Sequence, residues 1–223
     1  MSNAYSPEVI PAILPKSFEE LEEKVAIVEE YVSTLHLDIC DGTLTKEESW
    51  NITEGEESEL PFRSEVEYQV HLMMKDPLSV VDDWARLGAR DVVVHAEADL
   101  LNISDLKSLG YGLNFGLAVN LDTKIESVID LIPEFDFVHL MSIREIGKQG
   151  EVFQEETFAK IEELRAEFPE VLISVDGGVK LSNAKKLLNK GVDILVVGSA
   201  IIKASDPKRE VEKFLKLTNE TYR

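Results

Sequence analysis

The strongest constraint on this chain is a recurring pattern. A short, nearly continuous apolar run is followed by a polar turn and then by a stretch of helical periodicity. Val92-Val-Val94 and Ile194-Leu-Val-Val197 show no polar alternation, so such strands are buried on both faces, as happens in parallel sheets covered by helices. Strands are expected at 9–14, 34–39, 66–74, 91–95, 113–120, 135–142, 171–175 and 193–197. Helical stretches fall between most of them. Ser17-Phe-Glu-Glu20 is a capping box ahead of Phe18, Leu21, Val25 and Val28. Asp76-Pro77 opens a helix that places Val81, Trp84 and Leu87 inward and stops at Gly88. Further helices are expected at 102–109, at 123–132 before Pro133, at 155–168, at 182–189 and after Asp206-Pro207. Eight such units in 223 residues favour an α/β fold of one domain spanning 1–223, a closed (β/α)8 TIM barrel, over an open sheet. No Gly-x-Gly-x-x-Gly follows the first strand, against a dinucleotide-binding fold. Residues 2–4 (Ser-Asn-Ala) have the composition of an expression scar and are set aside.

Composition narrows the function classes. The formal net charge is −20, which disfavours nucleic acid and anionic membranes as partners. An anionic ligand would need a local positive field from backbone amides or a metal. The single cysteine, Cys40, excludes an intrachain disulfide and points to a reducing, cytoplasmic setting. No apolar run approaches the length of a membrane span, and no signal segment is evident. The long acidic stretch 41–61 lacks periodicity and is expected to lie over one end of the barrel as a partial lid.

Barrel chemistry belongs at the C-terminal ends of the strands, and the ionisable residues gather there. His36 and Asp38 are two apart on strand two and share a face. Strand three contributes His71, strand four His95 and Glu97, strand six His139, and strand seven Asp176. His36, Asp38, His71 and Asp176 together would make a site for one divalent metal ion, with zinc, iron, manganese and cobalt all compatible. His95 and Glu97 are expected to support that site from outside it. His139 faces the same way as Met141, either to pack or to touch the site. Asp176-Gly-Gly178 and Gly198-Ser199 follow the last two strands, where backbone amides in this fold recurrently hold phosphate.

The chain resembles the ribulose-phosphate 3-epimerase family in Leu35-His-Leu-Asp-Ile-Cys-Asp-Gly42, Val70-His-Leu-Met73, His95-Ala-Glu97, Gly116-Leu-Ala-Val-Asn120, Val175-Asp-Gly-Gly-Val179 and Val197-Gly-Ser-Ala-Ile201. The resemblance implies a (β/α)8 barrel that interconverts D-ribulose 5-phosphate and D-xylulose 5-phosphate through a cis-enediolate. It assigns His36, Asp38, His71 and Asp176 to the metal, and Asp38 and Asp176 to the acid/base pair. Gly177, Gly178, Gly198 and Ser199 are assigned to phosphate, and Cys40, Met73 and Met141 to a sulfur-lined wall. Three stretches depart from the family pattern: Ala12 stands where the family has serine, the loop after Gly42 is acidic, and Arg144-Glu-Ile-Gly-Lys-Gln-Gly150 replaces a Pro- and Gly-rich loop. Lys148 in that loop is expected to reach the phosphate. These departures leave open a hexulose 6-phosphate as the substrate, or a non-catalytic phosphosugar-binding barrel. A homo-oligomer is compatible with the family. The Asp-x-Lys-x-x-Asp array of related decarboxylases and synthases is not matched, since Cys40 holds the lysine position.

Overall fold

The structure is a computed structural model that describes residues 6–52, 60, 65–99, 107 and 112–221. Eight strands close a parallel barrel in sequence order: β1 (Glu8–Ile13), β2 (Thr34–Cys40), β3 (Glu67–Met73), β4 (Asp91–His95), β5 (Asn114–Val119), β6 (Phe137–Met141), β7 (Leu172–Asp176) and β8 (Ile194–Val197). Around it lie α1 (Phe18–Val28), α2 (Leu78–Arg86), α3 (Thr157–Glu167), α4 (Leu181–Asn189), the single turn α5 (Ser199–Ile202) and α6 (Pro207–Thr221). The single-domain TIM barrel is therefore observed. Among the described residues no helix is long and apolar enough to cross a membrane.

The local signals act where the sequence puts them. Ser17 accepts a hydrogen bond from the Glu20 amide, while the Glu20 carboxylate reaches back to the amide of Lys16. Asp206 accepts from the Arg209 amide at the start of α6. Gly88 ends α2 in a positive-φ conformation. The expected helix at 123–132 is instead two 3-10 turns, Ile125–Ser127 and Ile132–Glu134. Ile125, Val128 and Ile132 are buried all the same. Apolar residues spaced by three or four satisfy a short 3-10 turn as well as an α-helix. The helix expected at 102–109 lies almost wholly outside the described residues.

Two cores result. The larger packs the outward face of the strands, including Leu35, Leu37, Val70, Val92, Val94, Val138 and Leu195, against Leu21, Val25, Trp84, Ile161, Leu187 and Phe214 of the helices. Inside the barrel the apolar side chains form only small groups, Ile10 with Ala12, Ile194 and Val196, and Val93 with Ala118, Phe137 and Leu172. The remaining interior is polar: His36, Gln69, His71, His95, His139 and Ser174 are all fully buried. Burying that many polar groups is costly unless each is hydrogen-bonded or bound to an ion. The barrel has thus given up part of its interior packing to a site.

The first part of the acidic stretch is tied down. Asp41 bridges to Glu48, Ser49 Oγ accepts from the Cys40 amide, and the Trp50 ring meets Phe18 and Trp84. Thr45 lies against Gly147, and Lys46 pairs with Glu145 at 2.8 Å. The loop after β2 therefore meets the loop after β6 over the C-terminal end of the barrel. Residues 53–59 and 61 of the expected lid lie outside the described residues.

Candidate active site

Parallel register puts the site residues level with one another. Asp38 is paired with His71, His36 with Gln69, Met141 with Asp176, and His139 with Ser174. Side chains two apart share the inner face, so His36 and Asp38 on β2 meet His71 on β3. Asp38 Oδ1 lies 3.3 Å from His36 Nε2 and 3.1 Å from His71 Nδ1.

The imidazole tautomers follow from the groups behind them. Gln69 donates its amide to Asp91 Oδ2 at 3.1 Å, which turns its Oε1 toward His36 Nδ1 at 2.7 Å. Nδ1 of His36 therefore donates, and its Nε2 is left facing Asp38. On the other side Glu97 Oε2 accepts from His95 Nδ1 at 3.1 Å, so His95 Nε2 accepts from His71 Nε2 at 2.9 Å. This leaves His71 Nδ1 with its lone pair toward Asp38. Glu97 is itself held by the Asn120 amide and the Thr123 hydroxyl. His95 and Glu97 thus stand one step behind His71.

Three acceptor atoms, His36 Nε2, His71 Nδ1 and Asp38 Oδ1, crowd one point with no hydrogen supplied by the neutral tautomers. They require a cation or a proton there. Burial opposes charging His36, but the hydrogen bond and charge of Asp38, with Asp176 beyond, outweigh it and raise its pKa. For His71, burial dominates and the neighbouring imidazoles add to it, so its pKa is driven well down. The donor set suits a divalent ion of the borderline class. His36, His71, His139 and Asp176 each offer a donor atom, and these atoms all lie within 4.8 Å of one another. Asp38 adjoins them through both of its histidine contacts.

His139 is the residue that sequence reasoning leaves undecided. Its Nδ1 is 3.0 Å from Ser174 Oγ, and its Nε2 is 3.8 Å from Asp176 Oδ2 without a hydrogen-bond partner. Burial lowers its pKa, against the pull of Asp176.

One cleft joins these groups to the glycine turns. Asp38, Asp176, Met73, Met141, Gly177, Gly178, Gly198, Ser199 and Lys148 all line it. Cys40 sits behind Met73, Sγ to Sδ 4.0 Å, among Leu14 and Ile146. Its thiol pKa is pushed up to about 12 by burial first and then by the Asp38 charge. Ser142 holds the end of β7 by donating its amide and hydroxyl to the Asp176 carbonyl. Lys148 pairs with Glu145 at 2.7 Å at the edge of the cleft. Arg144 turns away to Asp122 and Glu156. Nothing local in the sequence singles out Gln149. Its amide crosses the mouth to the Ala12 carbonyl at 3.0 Å, and it lines the cleft beside Gly198.

The ribulose-phosphate 3 epimerase family model matches residues 8–202, from the first strand through the turn after the last. The chain belongs to the ribulose-phosphate 3 epimerase family. That places it among the isomerases acting on carbohydrates. It is similar to the ribulose-phosphate 3-epimerase of Mycobacterium leprae, 30% identical over 92% of each chain. It is also similar to the chloroplastic ribulose-5-phosphate-3-epimerase of Arabidopsis thaliana, 33% identical over 89% of this chain and 72% of that one. Among solved structures, KGPDC from Streptococcus mutans shares the fold. The TM-score is 0.72 at 14% identity, covering 97% of this chain and 99% of that one.

Proposed function

We propose that this member of the family is a metal-dependent ketose-phosphate 3-epimerase, with D-ribulose 5-phosphate and D-xylulose 5-phosphate as its substrate pair. The observation that carries the reading is the placement of two carboxylates in one cleft. Asp38 comes from β2 and Asp176 from β7, strands that lie three steps apart around the closed barrel. Epimerisation at carbon 3 removes a proton from one face and returns one to the other. It therefore needs a base and an acid that approach from different directions.

In this reading Asp38 and Asp176 exchange those roles with the direction of reaction. A divalent ion, held by His36, His71, Asp38 and Asp176, supplies Lewis acidity that eases charge build-up on the substrate oxygens. The Asp91–Gln69 and Glu97–His95 pairs hold His36 and His71 in the tautomers that point lone pairs inward. Met73 and Met141 offer an apolar wall that excludes water from the cis-enediolate. Gly177, Gly178, Gly198 and Ser199, with Lys148 at the rim, receive the phosphate. A hexulose 6-phosphate is the second reading of the substrate. It is left open by Ala12, which stands where the family has serine, and by the altered loop Arg144-Glu-Ile-Gly-Lys-Gln-Gly150.

The test is an epimerase assay on metal-reconstituted protein in deuterated solvent. Deuterium should enter at carbon 3 of the pentulose phosphate. Asp38→Asn and Asp176→Asn should each lower kcat by ~10²–10⁴-fold, the usual worth of a positioned acid or base. Absence of both exchange and epimer formation with pentulose and hexulose phosphates would remove the proposal.

A further inference from the structure

The site holds one acceptor atom more than the four-ligand reading uses. His139 is fully buried in the barrel interior, and its Nε2 has no hydrogen-bond partner. An imidazole nitrogen in that position is expensive to leave unpaired, and Asp176 Oδ2, which it faces, stands 3.8 Å away, beyond hydrogen-bond reach. Its ring belongs to a set of three. The centroids of His36 and His71 are 5.3 Å apart, those of His36 and His139 5.4 Å, and those of His71 and His139 4.8 Å. Imidazoles bound to one ion at about 2.1 Å also have centres roughly 5 Å apart.

We infer that His139 is a third imidazole ligand of the ion, held in register by Ser174 on the neighbouring strand. This rests on the metal reading given under Proposed function. The Ser174 hydroxyl lies 3.0 Å from His139 Nδ1. With Nδ1 donating to it, Nε2 carries the lone pair and faces Asp176 and the other two imidazoles. Ser174 thereby does for His139 what Gln69 does for His36 and His95 does for His71. Each ligand nitrogen inside the barrel is fixed by a partner on its other side. The resulting set has three imidazoles and two carboxylates, so the ion has fewer positions left for substrate oxygens than a four-ligand site allows.

The test counts imidazoles directly. X-ray absorption fine structure of the full chain loaded with one zinc should report three imidazole nitrogens in the wild type. Two are expected in His139→Leu. Chelator competition should show zinc held ~100-fold more weakly in His139→Leu, since losing even an outer partner costs ~10–100-fold. Ser174→Ala should keep the count at three and weaken retention by ~10-fold. A wild-type count of two, with His139→Leu holding zinc as tightly as wild type, overturns the inference while leaving a metal-dependent epimerase standing. Unchanged retention in Ser174→Ala overturns the part given to Ser174. Failure of the wild type to bind zinc, cobalt, manganese or iron overturns the metal reading itself and this inference with it. The wild-type count does not depend on whether a variant folds.

Discussion

Gly178 sits where a side chain should be intolerable, and the cost can be worked from the structure. Its φ is +63°, in the left-handed region, which costs an L-residue about 1–2 kcal/mol. A Cβ built there would lie 2.5 Å from the Phe153 amide nitrogen and 2.9 Å from the Glu151 carbonyl oxygen. Both atoms are backbone, so relief requires moving the loop after β6 rather than turning a side chain. Overpacking of this kind adds about 1–3 kcal/mol. Gly178→Ala should therefore destabilise by about 3 kcal/mol, or roughly 6–12 °C in Tm for a chain of this size. Gly112→Ala is the control, since Gly112 has φ +71° and nothing within 4 Å of its Cβ position. It should lose only the backbone share of about 1–2 kcal/mol, or roughly 2–8 °C. Kinetics should separate the two further. The loop that Gly178→Ala displaces carries Lys148, Gln149 and Gly150 into the cleft, so KM for the phosphorylated substrate should rise by ~10-fold, equivalent to about 1.4 kcal/mol of binding. Gly112→Ala should leave KM alone. If Gly178→Ala melts no lower than Gly112→Ala and keeps its KM, the close approach of the two loops is not part of the working enzyme.

Three other outcomes follow from the same geometry. Chelating the metal should lower Tm without unfolding the barrel at room temperature, because an ion at ~100 times its Kd adds about 2.7 kcal/mol; a scan with and without excess zinc reads this, and identical melts would count against a resident ion. Cys40 should resist a thiol reagent at pH 8 at a rate set by unfolding, since burial has pushed its pKa up to about 12. The unfolded thiol ionises near pH ~8.5 while the folded one stays protonated, so its share of stability is present below that value and is lost as pH rises toward 12; Cys40→Ala should flatten that part of the stability profile. Arg165 donates to the Gly191 and Val171 carbonyls and to Asp193 at the foot of β7 and β8. Arg165→Met strands these partly buried acceptors and should cost about 2–3 kcal/mol, read as a lower denaturant midpoint with kcat unchanged.

The contrast between His36 and His139 shows what local sequence can and cannot carry. His36 and Asp38 are two residues apart, and strand periodicity alone puts them on one face. The same rule places His95 with Glu97, and His139 with Met141. Continuous apolar runs such as Ile194-Leu-Val-Val197 likewise announce strands buried on both faces, so the barrel itself is legible. The partner of each histidine is not. His139 meets Ser174 because β6 and β7 align those two residues, 35 positions apart. His36 meets Gln69 for the same reason across β2 and β3. That alignment is set by the stagger of strands when the barrel closes, a property of the whole sheet that no short stretch encodes. Gln149 is hidden in the same way, since its partner at Ala12 lies 137 positions away.

The stagger also has a chemical consequence. Each of the four buried imidazoles has one nitrogen tied to a group outside the cluster or to a neighbour so tied: His36 to Gln69, His95 to Glu97, His71 to His95 and His139 to Ser174. A shift of β7 against β6 by two residues would keep every side chain on its face and preserve the apolar pattern. It would nevertheless strip His139 of Ser174 and carry Asp176 away from Met141. Hydrophobic patterning is therefore satisfied by more than one register, while the tautomers of the site are satisfied by one. The polar interior that weakens the barrel's packing is also what makes its closed register specific.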